Sequence, residues 1–328
     1  MIEKTAIFEG MKGIFLNKNL GILMLFTSMF ILRNPLLSQG CSDAGVCSIG
    51  GHGKMEKGSL TLNTQYGVGE QGVQYFTNQL EGVLRLNSKY TLQLKAPYTF
   101  INGNLGSNNG WGDIILVGNR NIYDKNEKKM SLSLGVRVGV NNASKYTANQ
   151  LLDYSIALPM PYQTSLGTHD LLLGADLEYK EKWRFSLGVQ IPLIQFNKNG
   201  FDTARISPGS DRGDKARQYF SSYHLIRRPD IVFRVDRTFK ITKKLKFTAG
   251  LLPIYHLLHD RYTDINGVER AIHGSKGLTL NIPVAAAYKF NSKWTLTARF
   301  ASPVIVREVR PDGLTRQFVS SIELKYTF

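Results

Sequence analysis

Residues 90–100 read YTLQLKAPYTF, and the order of apolar and polar side chains in this stretch decides the fold. In an extended chain successive side chains point to opposite faces. Tyr90, Leu92, Leu94, Ala96, Tyr98 and Phe100 therefore share one face, and Thr91, Gln93, Lys95, Pro97 and Thr99 share the other. Working outward, the same period of two returns in MSLSLGVRVGV (130–140), WRFSLGVQIPL (183–193), the run from Leu278 to Lys289 and the closing SSIELKYTF (320–328).

Alternation of this kind also suits a soluble sandwich, so the connections must decide. Short polar turns stand at 87–89, 124–129, 180–182, 240–244 and 291–293, and long polar excursions at 101–112, 141–168, 197–228, 258–276 and 301–317. Long and short strictly alternate, which is the plan of an outer-membrane barrel with tight periplasmic turns and extended outer loops. The fold class expected is all-β: a transmembrane, antiparallel, up-and-down β-barrel of about 12 strands, 12 to 14 if short outer strands are added. The strands are expected near 58–66, 74–86, 90–100, 113–123, 130–140, 169–179, 183–196, 229–239, 245–257, 277–290, 294–303 and 318–328. An even number puts both chain ends on the periplasmic side and lets the last strand pair with the first, so that no ladder edge meets lipid. Tyr90, Tyr123, Trp183, Phe239, Phe290, Trp294 and Phe328 all flank the short turns, as an interfacial aromatic girdle requires.

The N-terminal segment is set aside first. Lys12 and Lys18 precede the apolar run Leu20 to Leu32, which is shorter than the roughly 20 residues of a membrane-crossing helix. It fits the hydrophobic region of a signal peptide. Residues 1–39 are read as a cleaved signal peptide, 40–57 as a glycine-rich segment serving as plug or periplasmic tail, and 58–328 as the barrel. Cys41 and Cys47 are the two cysteines, and export places them where a small-loop disulfide forms. Lipidation of Cys41, two free thiols, and a metal site shared with His52 are the competing readings.

The formal charge is +16, and removing the four cations and two acids of 1–39 leaves +14. A secreted basic chain meets anionic lipid headgroups and solutes rather than nucleic acid. The polar face of the strands supplies a candidate solute path: Gln93, Lys95, Arg137, Asp176, Glu178, Arg184, Gln190, Arg234, Asp236, Lys246, Asn281, Lys289 and Arg299. Taken singly, each of these is read first as part of a salt-bridged lattice that stiffens the wall, ahead of a substrate contact; as a group they predict a polar interior of mixed charge with a cationic bias. Arg205, Arg212, Lys215 and Arg217, in the loop 197–228, are the candidate lipopolysaccharide contacts, since guanidinium groups grip phosphate well. The bland reading of that loop is a solvated one without a partner.

An enzyme is the rival class. His256, His259 and Asp260 lie close to His273 and Ser275 in sequence, but no GxSxG or HExxH occurs, and catalysis needs a nucleophile and base in mutual reach. The expectation is no catalytic residue, no metal and no cofactor. A silent structural barrel is the third class.

The closing SSIELKYTF resembles the C-terminal signature of outer-membrane barrels, which implies handling by the barrel-assembly machinery through the strand ending in Phe328. A wider resemblance is to the FadL-like outer-membrane transporters, and especially to the family described as the MetA pathway of phenol degradation. It is carried in order by YTLQLKAPY, NNGWGDIILVGN, LSLGVRVGV, SLGTHDLLLGADLEY and WRFSLGVQIPL, over roughly 90–193, with Gly110, Gly112 and Asp113 its most characteristic cluster. The chain departs from the family at 138–144, VGVNNAS, where a proline and glycine are common, and its second half shares only the strand pattern. The resemblance implies a barrel that moves small, often hydrophobic, compounds into the periplasm. The chain itself is read as a monomer in a Gram-negative outer membrane, with aromatic compounds among the expected solutes.

Overall fold

The structure is a computed structural model that describes residues 38–39, 57–149, 154–313 and 315–328. Cys41, Cys47 and the segment 40–56 lie outside the described residues, as do residues 1–37.

Twelve strands make the barrel: β1 (Gly58–Gly69), β2 (Gln74–Arg85), β3 (Tyr90–Gly103), β4 (Ile114–Lys125), β5 (Lys128–Val138), β6 (Thr168–Tyr179), β7 (Trp183–Gln195), β8 (Asp230–Lys240), β9 (Leu245–His256), β10 (Gly277–Lys289), β11 (Trp294–Ile305) and β12 (Thr315–Thr327). Each pairs antiparallel with its neighbours in sequence order, and β12 pairs with β1 from Thr327↔Ser59 to Arg316↔Gly69, which closes the sheet on itself. Ser38–Gln39 add a two-residue ladder beside Arg316 and Thr315. At ~3.3 Å per residue a strand of 12 residues is about 40 Å long, and a tilt of about 40° brings its height to roughly 30 Å, enough to cross the hydrocarbon layer.

The faces sort as the period of two demands. Leu60 and Leu62 on β1, Leu92 and Leu94 on β3, Leu132 and Leu134 on β5, and Ile322 and Leu324 on β12 are exposed on the outer wall, while Thr61, Asn63, Gln93, Lys95, Ser133 and Ser321 are buried inside. In β7 the sequence breaks rhythm. A bulge opposite the His169/Asp170 step leaves Leu193 and Ile194 exposed in succession, 63% and 58%, because the extra residue of a bulge re-aims its neighbours. Leu134, 61% exposed, tests the lipid-facing reading: Leu134→Arg is expected to cost about 2–4 kcal/mol in a bilayer and little in the lumen. Urea titration of folding into vesicles measures it.

The short turns are built from the residues that stand in them. Both NSK turns use one device: Asn87 Oδ1 accepts from Lys89 N at 2.9 Å and Tyr90 N at 3.0 Å, and Asn291 Oδ1 accepts from Lys293 N and Trp294 N, both at 2.9 Å. Asn126 and Glu127 have positive φ, as do Lys180 and Glu181, the conformation that a two-residue hairpin turn with the right twist requires. The turn written as 124–129 is therefore only two residues, with the strands running into their flanking charges.

The outer connections are L1 (70–73), L2 (104–113), L3 (139–167), L4 (196–229), L5 (257–276) and L6 (306–314). L1 is four residues long, so strict alternation of long and short fails at the first outer connection. L3 and L4 carry small elements of their own, an antiparallel pair Tyr146–Asn149 with Tyr154–Ala157 and a single-turn helix α1 (Asp211–Ala216) capped by Ser210.

Candidate functional site

The loops fold inward and close the outer half of the barrel. Tyr162 of L3, Phe201 and Tyr219 of L4, and Leu105 of L2 pack with Val73, Tyr75 and Ile101 into one buried apolar cluster. Tyr162 Oη is its polar centre: it accepts from Leu105 N at 3.0 Å, donates to Asn104 Oδ1 at 3.0 Å and lies 3.2 Å from Tyr219 Oη. Burial pushes the Tyr162 phenol above its ordinary value, so it stays a neutral hydrogen-bonding group.

Beside this cluster lies a buried ionic network. Asp312 of L6 takes Arg307 of L6 and, at 3.2 Å, Arg227 of L4, and Arg227 also reaches Asp230 of β8 at 2.9 Å. His256 at the end of β9 stands between two carboxylates, with Nδ1 2.7 Å from Asp230 and Nε2 2.9 Å from Asp260. Asp260 in turn accepts from Arg228 N at 2.9 Å. Burial alone would draw the Arg227 guanidinium below its usual range, but attraction by Asp312, Asp230 and Asp260 carries it above. On the far side of L6, Arg310 bonds Glu70 of L1 at 2.8 Å, and burial holds that carboxyl above the usual carboxylate range even against Arg310. Buried charges persist only when paired in this way. The network thus ties L1, L4, L5 and L6 to one another and to the wall.

Ser275, His259 and His273 come to the same region without forming a catalytic set. Ser275 is fully buried, donates to Ile272 O and accepts from Asp260 N, so its hydroxyl is committed to backbone. His259 and His273 lie with ring centroids 5.3 Å apart. His256 is spent between its two carboxylates. No nucleophile meets a base with access to substrate among these residues.

Beneath the infolded loops the lumen holds a cavity of about 380 Å³ lined by side chains of β1–β3 and β7–β12. Gln93, Lys95, Arg184, Arg234, Asp236 and Arg299 line it. Lys95 pairs with Glu81 at 3.4 Å, Arg184 with Asp176 at 2.9 Å, Arg234 with Asp236 at 2.7 Å and Arg299 with Glu323 at 2.6 Å. With Lys325 the wall presents five cations to four carboxylates. Lys246 and Lys289 have inward parity but stand exposed at the short-turn rim, and Glu178 sits half-buried outside the lining. Gln190 and Asn281 are buried deeper in the wall. Glu81, Gln79, Gln65 and Lys325 are lining residues beyond the thirteen candidates, and the alternation of β1, β2 and β12 marks them as plainly as it marks Gln93.

Ile115 and Val117 of β4, Leu172 of β6, Val232 of β8, and Leu252 and Ile254 of β9 point inward and form one apolar cluster on that side of the barrel. A chamber of about 70 Å³ shares Gln65 and Gln79 with the cavity below and is roofed by Met160 to Leu166 of L3 and by Asp312, Gly313 and Arg316. Arg137 stands in its wall, 2.6 Å from Asp113 and 3.7 Å from Asp170. The chamber shares Gln163 and Thr164 with a groove of about 420 Å³ on the outer surface, between the Gly106–Trp111 hairpin strand and L3. Three spaces therefore stand next to one another, with Gln65 and Gln79 lining both the first and the second and Gln163 and Thr164 lining both the second and the third.

The Gly110, Gly112, Asp113 cluster has its physical reason here. A Cβ on Gly112 would come 3.0 Å from Pro97 Cγ and 3.3 Å from Thr164 O, so glycine lets L3 lie against the wall. Asp113, bound to Arg137, also accepts from Leu166 N at 3.3 Å and fixes the end of the roof.

The loop cations read as lipid contacts are mostly engaged within the loops. Arg212 donates to Leu105 O at 2.7 Å, Lys215 to Asp211 at 2.7 Å and Arg217 to Ile206 O at 3.2 Å, while Arg205 lies over the Tyr223 ring at 4.3 Å.

Among solved structures the chain is similar to the COG4313 outer membrane channel from Pseudomonas putida F1, with 14% identity, a TM-score of 0.56 and coverage of 84% of this chain and 97% of that one. Weaker likenesses are to the NanC porin, 9% identical over 82% of this chain and 98% of that one with a TM-score of 0.45, and to the CymD monoaromatic hydrocarbon channel, 9% identical over 90% and 98% with a TM-score of 0.41. The fold is that of an outer-membrane β-barrel. No family model and no curated protein matches the chain.

Proposed function

We propose that the protein is an outer-membrane channel for passive passage of small solutes, held closed at its outer face by L3, L4 and L6. The observation that carries this reading is the succession of three spaces, from the inner cavity through the chamber under L3 to the outer groove, each sharing polar side chains with the next. A barrel of twelve strands lies between those filled by their own side chains and those with a wide aqueous pore, so a narrow path is what its diameter supports. The narrowest space is the middle chamber, and its roof is loop rather than wall. Movement of Met160–Leu166 is the step that would open it.

The lining favours small polar solutes. Amides shared between the spaces and ion-paired charge in the inner cavity would leave a hydrophobic compound facing unpaired polar groups. The apolar cluster around Leu172 and Leu252 supports the hydrophobic solutes implied by the FadL-like resemblance as a second reading. Swelling of proteoliposomes in isosmotic sugar or amino-acid solutions, against uptake of phenol into the same vesicles, separates the two. Equal rates with and without protein for every solute would end the channel reading.

Charge selectivity gives a second test. With Lys325, and with Asp176 counted through its pair with Arg184, the inner cavity has one cation in excess. Weak anion preference is expected in planar bilayers under a salt gradient, and Lys325→Glu is expected to reverse the sign of the zero-current potential. An unchanged sign would show that ions do not cross this cavity.

A further inference from the structure

The outer groove has the makings of a binding site in its own right. Its floor is the Gly106–Trp111 strand, which pairs with β3 alone, so its other edge carries no partner strand among the described residues. Trp111 lies at its lip on the outward face of the wall, 58% exposed and opposite Tyr98 in the ladder, and Tyr98 meets it edge to face at a centroid distance of 5.4 Å. Around it stand Asn109, Asn142, Lys145, Gln163 and Thr164.

These amides are oriented before any ligand arrives. Tyr98 Oη donates to Asn109 Oδ1 at 2.9 Å and Ser144 Oγ to Asn142 Oδ1 at 2.6 Å, which fixes both planes and leaves both NH2 groups to donate elsewhere. Gln163 is pinned by three bonds, to Lys145 N, Lys145 O and Leu158 O. Lys145 supplies the cation of the groove.

An exposed indole flanked by fixed amide donors, with one ammonium beside it, is the chemistry that recognises a sugar ring. The ring's apolar C–H face lies on the indole and its hydroxyls accept from the amides, while the lysine donates to a phosphate or carboxylate substituent. A purely aromatic solute would stack on Trp111 and leave the amides without partners. We propose that this groove binds a saccharide, at a site fed either by the phosphorylated core sugars of the surrounding lipopolysaccharide or by free oligosaccharide. The binding itself stands apart from the channel reading, which it draws on only for where the sugar goes next.

The test is tryptophan fluorescence of the full chain in detergent, titrated with deacylated lipopolysaccharide core oligosaccharide and separately with maltotetraose. A saturable change is expected with at least one of them, and which one identifies the source. The change should vanish in Trp111→Phe, persist in Trp183→Phe and require about tenfold more sugar in Asn142→Ala. Heat-modifiable migration on gels confirms that each variant is folded. No saturable change with either sugar, a change that survives in Trp111→Phe, or saturation by phenol in place of both would overturn the proposal. A barrel that binds sugar and passes no current would refute the channel and leave the groove standing.

Discussion

Replacing Asp312 with alanine is expected to unlatch the outer mouth. Its carboxylate is shared by Arg307 and Arg227, both buried, and removing one partner of a buried ion pair strands the other charge at a cost of about 3–5 kcal/mol. Arg307 is stranded and Arg227 is left with Asp230 as its remaining carboxylate partner, so water must enter or the loops must leave. L4 and L6 are the elements that can leave, because the wall around Asp230 is held by strand ladders. Single-channel recording should therefore show frequent open events in Asp312→Ala where the unaltered protein is mostly shut. Proteolysis of intact vesicles should cut L4 near 205–217 far faster than in the parent. A variant as silent and as resistant as the parent would show that the ionic network does not hold the loops closed.

The neighbouring residue gives the second large effect by a different cause. Gly313 has φ of +67°, and a Cβ there would fall on the backbone of Met160 and Pro161 in L3. Gly313→Val carries about 1–3 kcal/mol of backbone strain before any contact is counted, and a β-branched side chain then meets atoms that cannot rotate away. L3 and L6 must part. Because Met160–Leu166 roofs the middle chamber, this variant should widen the narrowest space and raise uptake of polar solutes in swelling assays, with all charges of the network retained. Agreement between the two variants would assign closure to L6. Opening in Asp312→Ala alone would assign it to charge.

How much of this was legible beforehand depends on which force sets each part. The wall was legible, since lipid outside and side chains inside impose a period of two on every strand, and the twelve spans read from that rhythm coincide with β1–β12 to within a few residues. The NSK turns announce themselves by an asparagine whose side chain can stand in for backbone. The closure by infolded loops was not legible. Its contacts join Tyr162 to Asn104, Arg227 to Asp312 and Arg310 to Glu70, across 58, 85 and 240 residues of chain, and no local pattern marks such pairs. The loops that look like solvated excursions contain Phe201, Tyr219 and Leu225, and only their burial reveals that the outer half has a core of its own. Of the lumen candidates, the period placed Gln93 and Arg234 on the right face, but it could not say how far up the cylinder a given strand stands, so rim residues such as Lys289 and lining residues such as Arg299 looked alike.

The seam between the last strand and the first is closed along its whole length. Phe328 N donates to Gly58 O at 3.0 Å, and Phe328 O accepts from Lys57 N and Gly58 N at 2.9 Å, so the ladder runs on beyond Thr327↔Ser59. A β1 without this partner would carry a row of unmet amides that neither water nor hydrocarbon can serve inside the bilayer. A cylinder opened at this one joint has two raw edges, whatever the quality of its other eleven.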